Sequence, residues 1–139
     1  MAKRAPRIFN FFPCLSIIRS YVTYVTGTTG VEKMFKLNMD ADVNGTHLQS
    51  KIQVSPTRLV EVFGVPQECD QYKVSGQYVF EGPDGDVFTL YDWKSTSLYD
   101  PGFAPDPKLL WASPAPRWFN IGGHNNAFDF VQWLDNKVN

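Results

Sequence analysis

The sequence of 139 residues contains few of the residues that build metal centres or disulfide frameworks, and it contains no long apolar run. Its two cysteines, Cys14 and Cys69, lie far apart, without Cys-x-x-Cys spacing and without a histidine at metal-ligand spacing. This pattern predicts two free thiols in a reducing compartment. No stretch approaches the ~20 apolar residues that a transmembrane helix requires. We therefore expect no metal site, no cofactor and no membrane span.

Acidic residues are absent from the start of the chain. Lys3, Arg4, Arg7 and Arg19 all precede the first acidic residue, Glu32. From Glu32 onward, nine Lys and Arg stand against fourteen Asp and Glu, which gives this part a formal charge of −5. Surfaces that bind a polyanion are positively charged, so this sign disfavours nucleic acid as a partner of the body of the chain.

The first thirty residues differ from the rest because they are basic and apolar. Positive charge, apolar content and a lack of acids are typical of a targeting segment. However, Asn10, Pro13 and Ser16 interrupt the apolar part, and no Ala-x-Ala cleavage pattern closes it. An extra strand or a poorly packed extension would explain the segment equally well. We predict a weakly structured or targeting-like leader over residues 1–30 and a single domain over residues 31–139.

Aromatic and other apolar residues, in contrast, are plentiful. Hydrophobic residues make up 43% of the chain and aromatic residues 15%, which predicts a globular domain with a core rich in rings. Alternation of apolar and polar residues predicts strands over residues 34–39 and 46–54. In the second strand, Leu48, Ile52 and Val54 should face the core.

A hairpin is the strongest local prediction. Residues 72–81 and 86–94 read as strands, and Gly82-Pro83-Asp84-Gly85 between them supplies turn residues. If Glu81 lies opposite Asp86, one face of the hairpin carries most of the rings and should be the core side. That face would consist of Val74, Gly76, Tyr78, Phe80, Val87, Thr89, Tyr91 and Trp93. The polar face would carry Lys73, Ser75, Asp92 and Lys94 at the open end.

Helix signals complete the predicted fold. Ser55-Pro56 predicts a helix start and Gly64 a helix end. Residues 95–116, rich in proline, predict a loop, and a short strand over residues 117–121 should be broken by Gly122-Gly123. Asn125 or Asn126 can cap a last helix, with apolar residues at helical spacing: Ala127, Val131, Leu134 and Val138. The sequence therefore predicts an α+β fold, an antiparallel sheet of four or five strands with two helices packed on one face.

The tripeptide Asp92-Trp93-Lys94 is similar to the Asp/Glu-x-Lys signature of the PD-(D/E)XK nucleases. Their chemistry needs two carboxylates to hold a divalent metal and a lysine to activate water or stabilise charge. In the predicted hairpin, Asp92 lies across from Ser75, and the acids of the turn are about 20 Å away. A solvated strand end is the simpler interpretation, and an active or inactive nuclease is the alternative.

Other polar and aromatic residues predict binding rather than catalysis. Gly122-Gly123-His124 precedes a helix, and free amides there attract anions, although a tight turn followed by a cap also explains these residues. His47 should stand on the polar face of its strand, and Trp111 lies in the proline-rich loop. No acid-His-Ser or Cys-His spacing predicts a nucleophile. The candidate ligand-binding residues are His47, Lys73, Asp92, Lys94, Trp111, Gly122, Gly123 and His124, with no catalytic and no metal-ligating residue among them.

Several short motifs lie between Gly45 and the end of the chain: Thr46-His47-Leu48-Gln49, Leu59 with Phe63-Gly64 and Pro66, Tyr72-Lys73, Leu90-Tyr91-Asp92-Trp93-Lys94 and Phe119-Asn120-Ile121-Gly122-Gly123. In these motifs the chain resembles small proteins of tailed bacteriophage and related viral genomes. The resemblance implies no activity, cofactor or catalytic residue. Residues before Gly30 lie outside it.

Three functions from different classes follow from these observations. The first is a non-enzymatic binding module, a viral accessory protein in the host cytoplasm that engages a host protein or a small anionic ligand. It is favoured because polar groups lie beside loops while no complete catalytic set is present. The second is a nuclease, or its inactive descendant, that uses Asp92 and Lys94. The third is a structural component of the virion.

Overall fold

The computed structural model describes residues 34–139, in which five strands form one open antiparallel sheet accompanied by three helices. In chain order the elements are β1 (Lys36–Leu37), β2 (His47–Val54), α1 (Pro56–Phe63), β3 (Gln77–Glu81), β4 (Val87–Tyr91), α2 (Pro107–Trp111), β5 (Arg117–Gly123) and α3 (Phe128–Val138). The order of strands across the sheet is β1-β3-β4-β5-β2. The predicted α+β fold is therefore confirmed. The leader predicted over residues 1–30, including Cys14, lies outside the described residues.

Strand β2 follows the predicted alternation over only part of its length. Ile52 and Val54 are buried, whereas Leu48 is 52% exposed. The pairing with β5 shifts between Leu48 and Ser50, which leaves Gln49 as the extra residue of a bulge. A bulge inverts the alternation on one side of it, so the prediction that Leu48 faces the core is wrong. The strand predicted over residues 34–39 is likewise shortened, to the two residues of β1.

Helix α1 has the predicted bounds, but its first turn is capped differently. Pro56 occupies the first turn, where a missing N–H costs nothing. The Ser55 hydroxyl bonds to the Thr57 hydroxyl, 2.9 Å away, and makes no capping bond to a backbone amide. Gly64 ends the helix at φ 88° and ψ −171°, a backbone region that is essentially restricted to glycine. This helix places Leu59 in the core.

The hairpin forms, but its register differs by one residue from the prediction. Glu81 pairs with Val87, not with Asp86. The Gly82 amide bonds to the Asp86 carbonyl, and Gly85 takes φ 83°, so the connection is a three-residue turn with a left-handed glycine. A shift of one residue moves every side chain of a strand to the opposite face. Accordingly Phe88 and Leu90 are buried in the core cluster, which the prediction had given to Val87, Thr89 and Tyr91.

Residues 95–116, predicted to be a loop, contain the short helix α2. The Asp106 side chain accepts a hydrogen bond from the Lys108 amide, and Pro107 occupies the first turn. Asp followed by Pro is a standard helix start, so this signal was present in the sequence. The helix buries Leu110.

Gly122 and Gly123 lie within β5 and do not break it, contrary to the prediction. Gly122 pairs with Thr89 of β4, and Gly123 pairs with Phe88. The close approach of these neighbours explains the glycines, because a Cβ atom on Gly122 would lie 2.6 Å from the Thr89 hydroxyl oxygen. Helix α3 then begins at Phe128, whose amide donates to the Asn126 side chain.

One face of the sheet packs against α1 and α3 through a cluster of aromatic rings. Phe88 and Phe130 stack with their centroids 4.8 Å apart and their planes 3° from parallel. Phe35 meets Phe130 edge to face at 5.4 Å, and Trp133 contacts Phe80 at 5.9 Å. These rings supply the core that the composition predicts.

The other sheet face is crossed by the chain itself. Strands β1 and β2 form opposite edges of the sheet, so the residues that join them must pass over β3, β4 and β5. We call residues 38–46 the crossing segment. Its start is fixed by a bond from the Asn38 amide to the Val79 carbonyl, and its end by the His124 ring, whose Nε2 lies 2.7 Å from the Asn44 carbonyl oxygen. None of the helices in residues 34–139 has the length and apolarity needed to span a bilayer.

Candidate functional site

Asp92 lies at the open end of the hairpin and is directed inward. Its side chain is 1% exposed. Its oxygens accept hydrogen bonds from the Ser75 amide at 2.9 Å, the Ser75 hydroxyl at 2.8 Å and the Gly76 amide at 2.9 Å. The predicted neighbour, Ser75, is confirmed, but the interpretation of a solvated strand end is wrong. Desolvation raises the pKa of Asp92, while the bonds from Gly76 and Ser75 act in the opposite direction.

Trp111 reaches the same buried network from α2. Its indole Nε1 donates to the Ser75 hydroxyl oxygen at 3.0 Å, so this hydroxyl accepts from Trp111 while it donates to Asp92. The Trp111 ring also contacts Tyr78 at 6.1 Å and Phe119 at 5.5 Å. Trp111 is therefore half-buried and connects α2 to the hairpin.

Next to Asp92, the hairpin presents an exposed ring between two lysines. Because Asp92 is directed inward, Trp93 stands outward and is 44% exposed. The Lys73 ammonium lies 5.8 Å from the Trp93 ring centroid, and the Lys94 ammonium lies 5.5 Å from it. The backbones of the two lysines are joined by a 2.7 Å bond from the Lys94 amide to the Lys73 carbonyl. Both charges are thus held near one ring.

Two tyrosines extend this group of residues. The Lys94 ammonium also lies 5.0 Å from the centroid of the Tyr99 ring, and Tyr99 contacts Tyr72 at 5.1 Å. We call Tyr72, Lys73, Trp93, Lys94 and Tyr99 together the lysine–tryptophan tip. This group could not be predicted from the sequence. Tyr99 lies in the proline-rich segment, and the sequence did not indicate where that segment packs.

Neither lysine of the tip is neutralised by a close ion pair. Among residues 34–139, no carboxylate lies within salt-bridge distance of Lys73 or Lys94, whereas Arg58 and Glu61 form such a pair at 2.7 Å. Asp70 lies in the same turn as Lys73, and it accepts bonds from the amides of Val74 and Tyr72. These bonds and, to a smaller extent, the positive charge of Lys73 lower the pKa of Asp70. Its carboxylate therefore serves to shape the turn.

A groove of about 200 Å³ adjoins the tip on the helix-free face of the sheet. The crossing segment forms one wall, and the strands form the floor. Its lining residues are Val43, Thr46, His47, Val74, Gln77, Thr89, Tyr91, Trp93 and Gly122. No lysine, arginine, aspartate or glutamate lines it. Trp93 belongs to both the groove and the tip, so the two are continuous.

The structure brings together only part of the predicted site. Lys73, Asp92, Lys94 and Trp111 meet around the open end of the hairpin as described above, and His47 and Gly122 line the adjoining groove. Gly123 faces the core side, where a Cβ atom would lie 3.0 Å from the Phe88 ring. The His124 ring forms a hydrogen bond with the Asn44 carbonyl oxygen of the crossing segment.

Several residues that line the groove were not predicted from the sequence to belong to a site. Gln77, Thr89 and Tyr91 line the groove, and the predicted register had placed Thr89 and Tyr91 in the core. A pairing of Glu81 with Val87 would have put all three on the helix-free face. The left-handed glycine Gly85 was the available signal for that pairing, because Gly at the end of a three-residue turn is common.

The tip and the groove offer two cations, aromatic rings and neutral hydrogen-bonding groups. In the described part of the chain, no group of three or more His, Cys, Asp or Glu residues comes together in a way that could hold a metal ion. Cys69 is a free and exposed thiol. No protein-family model matches the chain, and no curated protein matches it. What the site can do therefore follows from its own residues.

Proposed function

We propose that this protein is a non-enzymatic binding module that takes a small anionic ligand at the lysine–tryptophan tip. One observation carries the proposal: the ammonium groups of Lys73 and Lys94 both lie within 6 Å of the exposed Trp93 ring, and no described carboxylate pairs with either. Asp70 attracts Lys73 only from beyond salt-bridge distance, so the two adjacent cations still repel each other. An anion that bridges them relieves that repulsion.

The rings of the tip suit an anion that carries a flat group. An exposed tryptophan offers a face on which a ring can stack, and the ammonium groups can donate hydrogen bonds to phosphate or carboxylate oxygens. The tip is small, and the chain from Glu32 onward, with the tip included, carries a formal charge of −5. This acidic surrounding favours a compact ligand over an extended polyanion.

The geometry of Asp92 supports a binding role over a nuclease role. A metal-binding carboxylate needs free lone pairs directed at the ion. Here three donors from Ser75 and Gly76 already occupy the carboxylate of Asp92. The side chain is also 1% exposed, which keeps it away from a substrate at the surface.

The viral setting of the proposal is supported by the resemblance to small proteins of tailed bacteriophage genomes. On that basis we place the module among viral accessory proteins that act in the cytoplasm of the host cell. A host protein that carries an anionic group, for example a carboxylate of an acidic segment, would bind through the same two lysines.

The test is titration of the full chain with inorganic phosphate and with pyrophosphate, followed by calorimetry and by NMR of backbone amides. We expect saturable binding that perturbs the amides of Trp93 and Lys94. The double variant Lys73→Gln/Lys94→Gln should weaken binding by about tenfold or more, since it removes both charges while retaining most of each stem. The matched control is Lys51→Gln/Lys108→Gln, which makes the same change in net charge at two exposed lysines elsewhere.

Three outcomes would contradict the proposal. The first is an equal loss of affinity in the control and tip variants, which would mean that only overall charge matters. The second is magnesium-dependent DNA cleavage that Asp92→Ala abolishes, which would establish the nuclease. The third is stable self-association in light scattering that the tip variant disrupts, which would favour a virion component.

A further inference from the structure

We infer that the groove beside the tip is the second half of the same binding site, and that the ligand is a phosphate ester of a ring compound rich in hydroxyl or amide groups. The inference rests on the proposed function, because the lysine–tryptophan tip is to hold the phosphate. A nucleoside monophosphate and a hexose phosphate share this chemistry. The groove would take the ring.

The first observation is an unpartnered hydroxyl in the floor of the groove. Thr89 is only 2% exposed, yet within residues 34–139 its side-chain oxygen has no hydrogen-bond partner. Among residues 34–139 only Arg117 Nε is a side-chain atom both sealed from solvent and without a partner, so the Thr89 hydroxyl is open to the groove, where it can bond to water or to a ligand. Because Thr89 lines the groove, a ligand group placed there would supply the missing bond.

The second observation is that the chain leaves space in front of that hydroxyl. Gly122, on the neighbouring strand β5, faces Thr89 directly, and a Cβ atom on it would come within 2.6 Å of the hydroxyl oxygen and 3.6 Å of the Tyr91 ring. Any larger residue at this position would close the floor of the groove. The missing side chain therefore keeps the Thr89 hydroxyl accessible.

The third observation is the chemical character of the lining. Gln77 and Tyr91 bring further polar groups whose side chains have no hydrogen-bond partner in the described residues, and Trp93 adds a ring at the end nearest the tip. Neutral donors and acceptors beside aromatic walls are typical of sites for sugars and nucleosides. Pockets for drug-sized ligands have volumes of about 300–1,000 Å³. A groove of about 200 Å³ therefore accepts one ring-sized group.

Trp93 fixes how the two halves combine. It lines the groove and also lies between the two lysines. A ring in the groove would contact one edge of Trp93, and an attached phosphate would reach the ammonium groups of Lys73 and Lys94. A single compact molecule can thus occupy both halves.

The experiment compares four probes against the full chain by calorimetry: uridine monophosphate, glucose phosphate, uridine and inorganic phosphate. We expect at least one of the two phosphate esters to bind about tenfold or more tightly than inorganic phosphate. Thr89→Val, which replaces the hydroxyl by a methyl group of equal size, should remove most of that advantage. Inorganic phosphate, which carries no ring to enter the groove, is the reference ligand for this comparison.

A second variant probes the space itself. Gly122→Ala should reduce the affinity for the ester in the same way, because its methyl group would occupy the floor of the groove. The matched control is Gly102→Ala, at a position where a Cβ atom meets nothing within 4 Å. Circular dichroism of both variants reports whether they fold, and Thr89→Val decides the question if Gly122→Ala does not.

The outcomes separate this inference from the proposed function. Equal affinity for the esters and for inorganic phosphate would overturn the role of the groove while the tip remained an anion site. Failure of every phosphate-bearing probe to bind would overturn both. A preference for uridine monophosphate supports a nucleotide and a preference for glucose phosphate supports a sugar, and each upholds the inference.

Discussion

At the scale of the single residue, Asp92 organises the site. Its carboxylate bonds to Ser75 and Gly76, which lie just before β3, while Asp92 itself follows β4. Together with the bond from the Lys94 amide to the Lys73 carbonyl, it therefore fixes the open end of the hairpin beyond the last ladder pair, Gln77 and Tyr91. Trp93 and Lys94 take their positions from it, since they are the next two residues of the chain.

Replacement of this carboxylate by an amide tests its structural role. Asp92→Asn would direct an NH₂ group at donors that need an acceptor, so we expect a loss of about 1–3 kcal/mol in the free energy of unfolding. Urea denaturation at neutral pH measures it. Asp84→Asn, in the exposed hairpin turn, is the control for the change in charge and should have little effect. Equal stability of the two variants would contradict the proposed anchoring.

The same residue predicts a pH dependence of stability. Burial raises the pKa of Asp92 above its ordinary value of 3.8, so in the intervening pH window the folded chain binds a proton that the unfolded chain has released. The part of the stability that depends on this proton is therefore fully present below pH 3.8 and is lost as the pH rises through the raised pKa, whereas the hydrogen bonds that the carboxylate accepts from Ser75 and Gly76 remain at neutral pH. The difference in unfolding free energy between the wild type and Asp92→Asn should narrow as the pH rises through this window. A difference that widens would show that the pKa is lowered instead.

Residue-level prediction from the sequence was accurate about neighbours and inaccurate about burial. The proximity of Asp92 to Ser75 followed from the hairpin alone. The burial of Asp92 did not, because the observed register turns Asp92 to the same face as Phe88 and Leu90, and because the Trp111 indole completes the network from a distant segment. Contacts between residues this far apart in the sequence can be predicted only when the tertiary structure is known.

At the scale of the element, local signals predicted where elements begin and end better than they predicted register. Residues 87–91 are apolar or aromatic on both faces, so the sequence Val-Phe-Thr-Leu-Tyr fits the core in either register. Only the type of turn distinguishes the two registers. Helix α2 shows the opposite case, because Asp106 and Pro107 did signal a helix start, but the surrounding prolines outweighed that signal.

The end of α1 provides a test at this scale. Gly64 takes φ 88° with ψ −171°, and a Cβ atom there would meet nothing within 4 Å. Gly64→Ala should therefore destabilise the protein through backbone strain alone, by about 1–3 kcal/mol. Gly102→Ala, equally open but without a positive φ, should be neutral or slightly stabilising. Thermal unfolding of both variants measures the contrast, and similar melting temperatures would contradict it.

At the scale of the whole molecule, the ring cluster joins the sheet to α3. Phe130 is fully buried and contacts Phe35, Phe80, Phe88 and Trp133. The composition predicted such a core. Which rings belong to it depended on the register of β4, so the sequence assigned Tyr78 and Phe80 correctly and missed Phe88.

The contribution of this cluster to the stability of the protein can be measured. Phe130→Ala should lower the free energy of unfolding by about 3–5 kcal/mol, because it removes a buried ring and leaves a cavity. A loss of this size is a large fraction of the stability of an ordinary domain. Phe128→Ala is the control, since Phe128 is 62% exposed on the same helix and should cost far less. Comparable losses of unfolding free energy in the two variants would contradict the assignment of Phe130 to the core.

The strand order has a consequence for how the chain matures during synthesis. In the described residues β2 pairs with β5 alone, and about sixty residues separate the two strands. As translation proceeds from the amino end, β2 has no hydrogen-bonded neighbour until β5 has left the ribosome. A nascent chain that stalls before Arg117 would leave β2 without a strand to pair with and its buried residues Ile52 and Val54 uncovered, and such an intermediate is a natural target for chaperones.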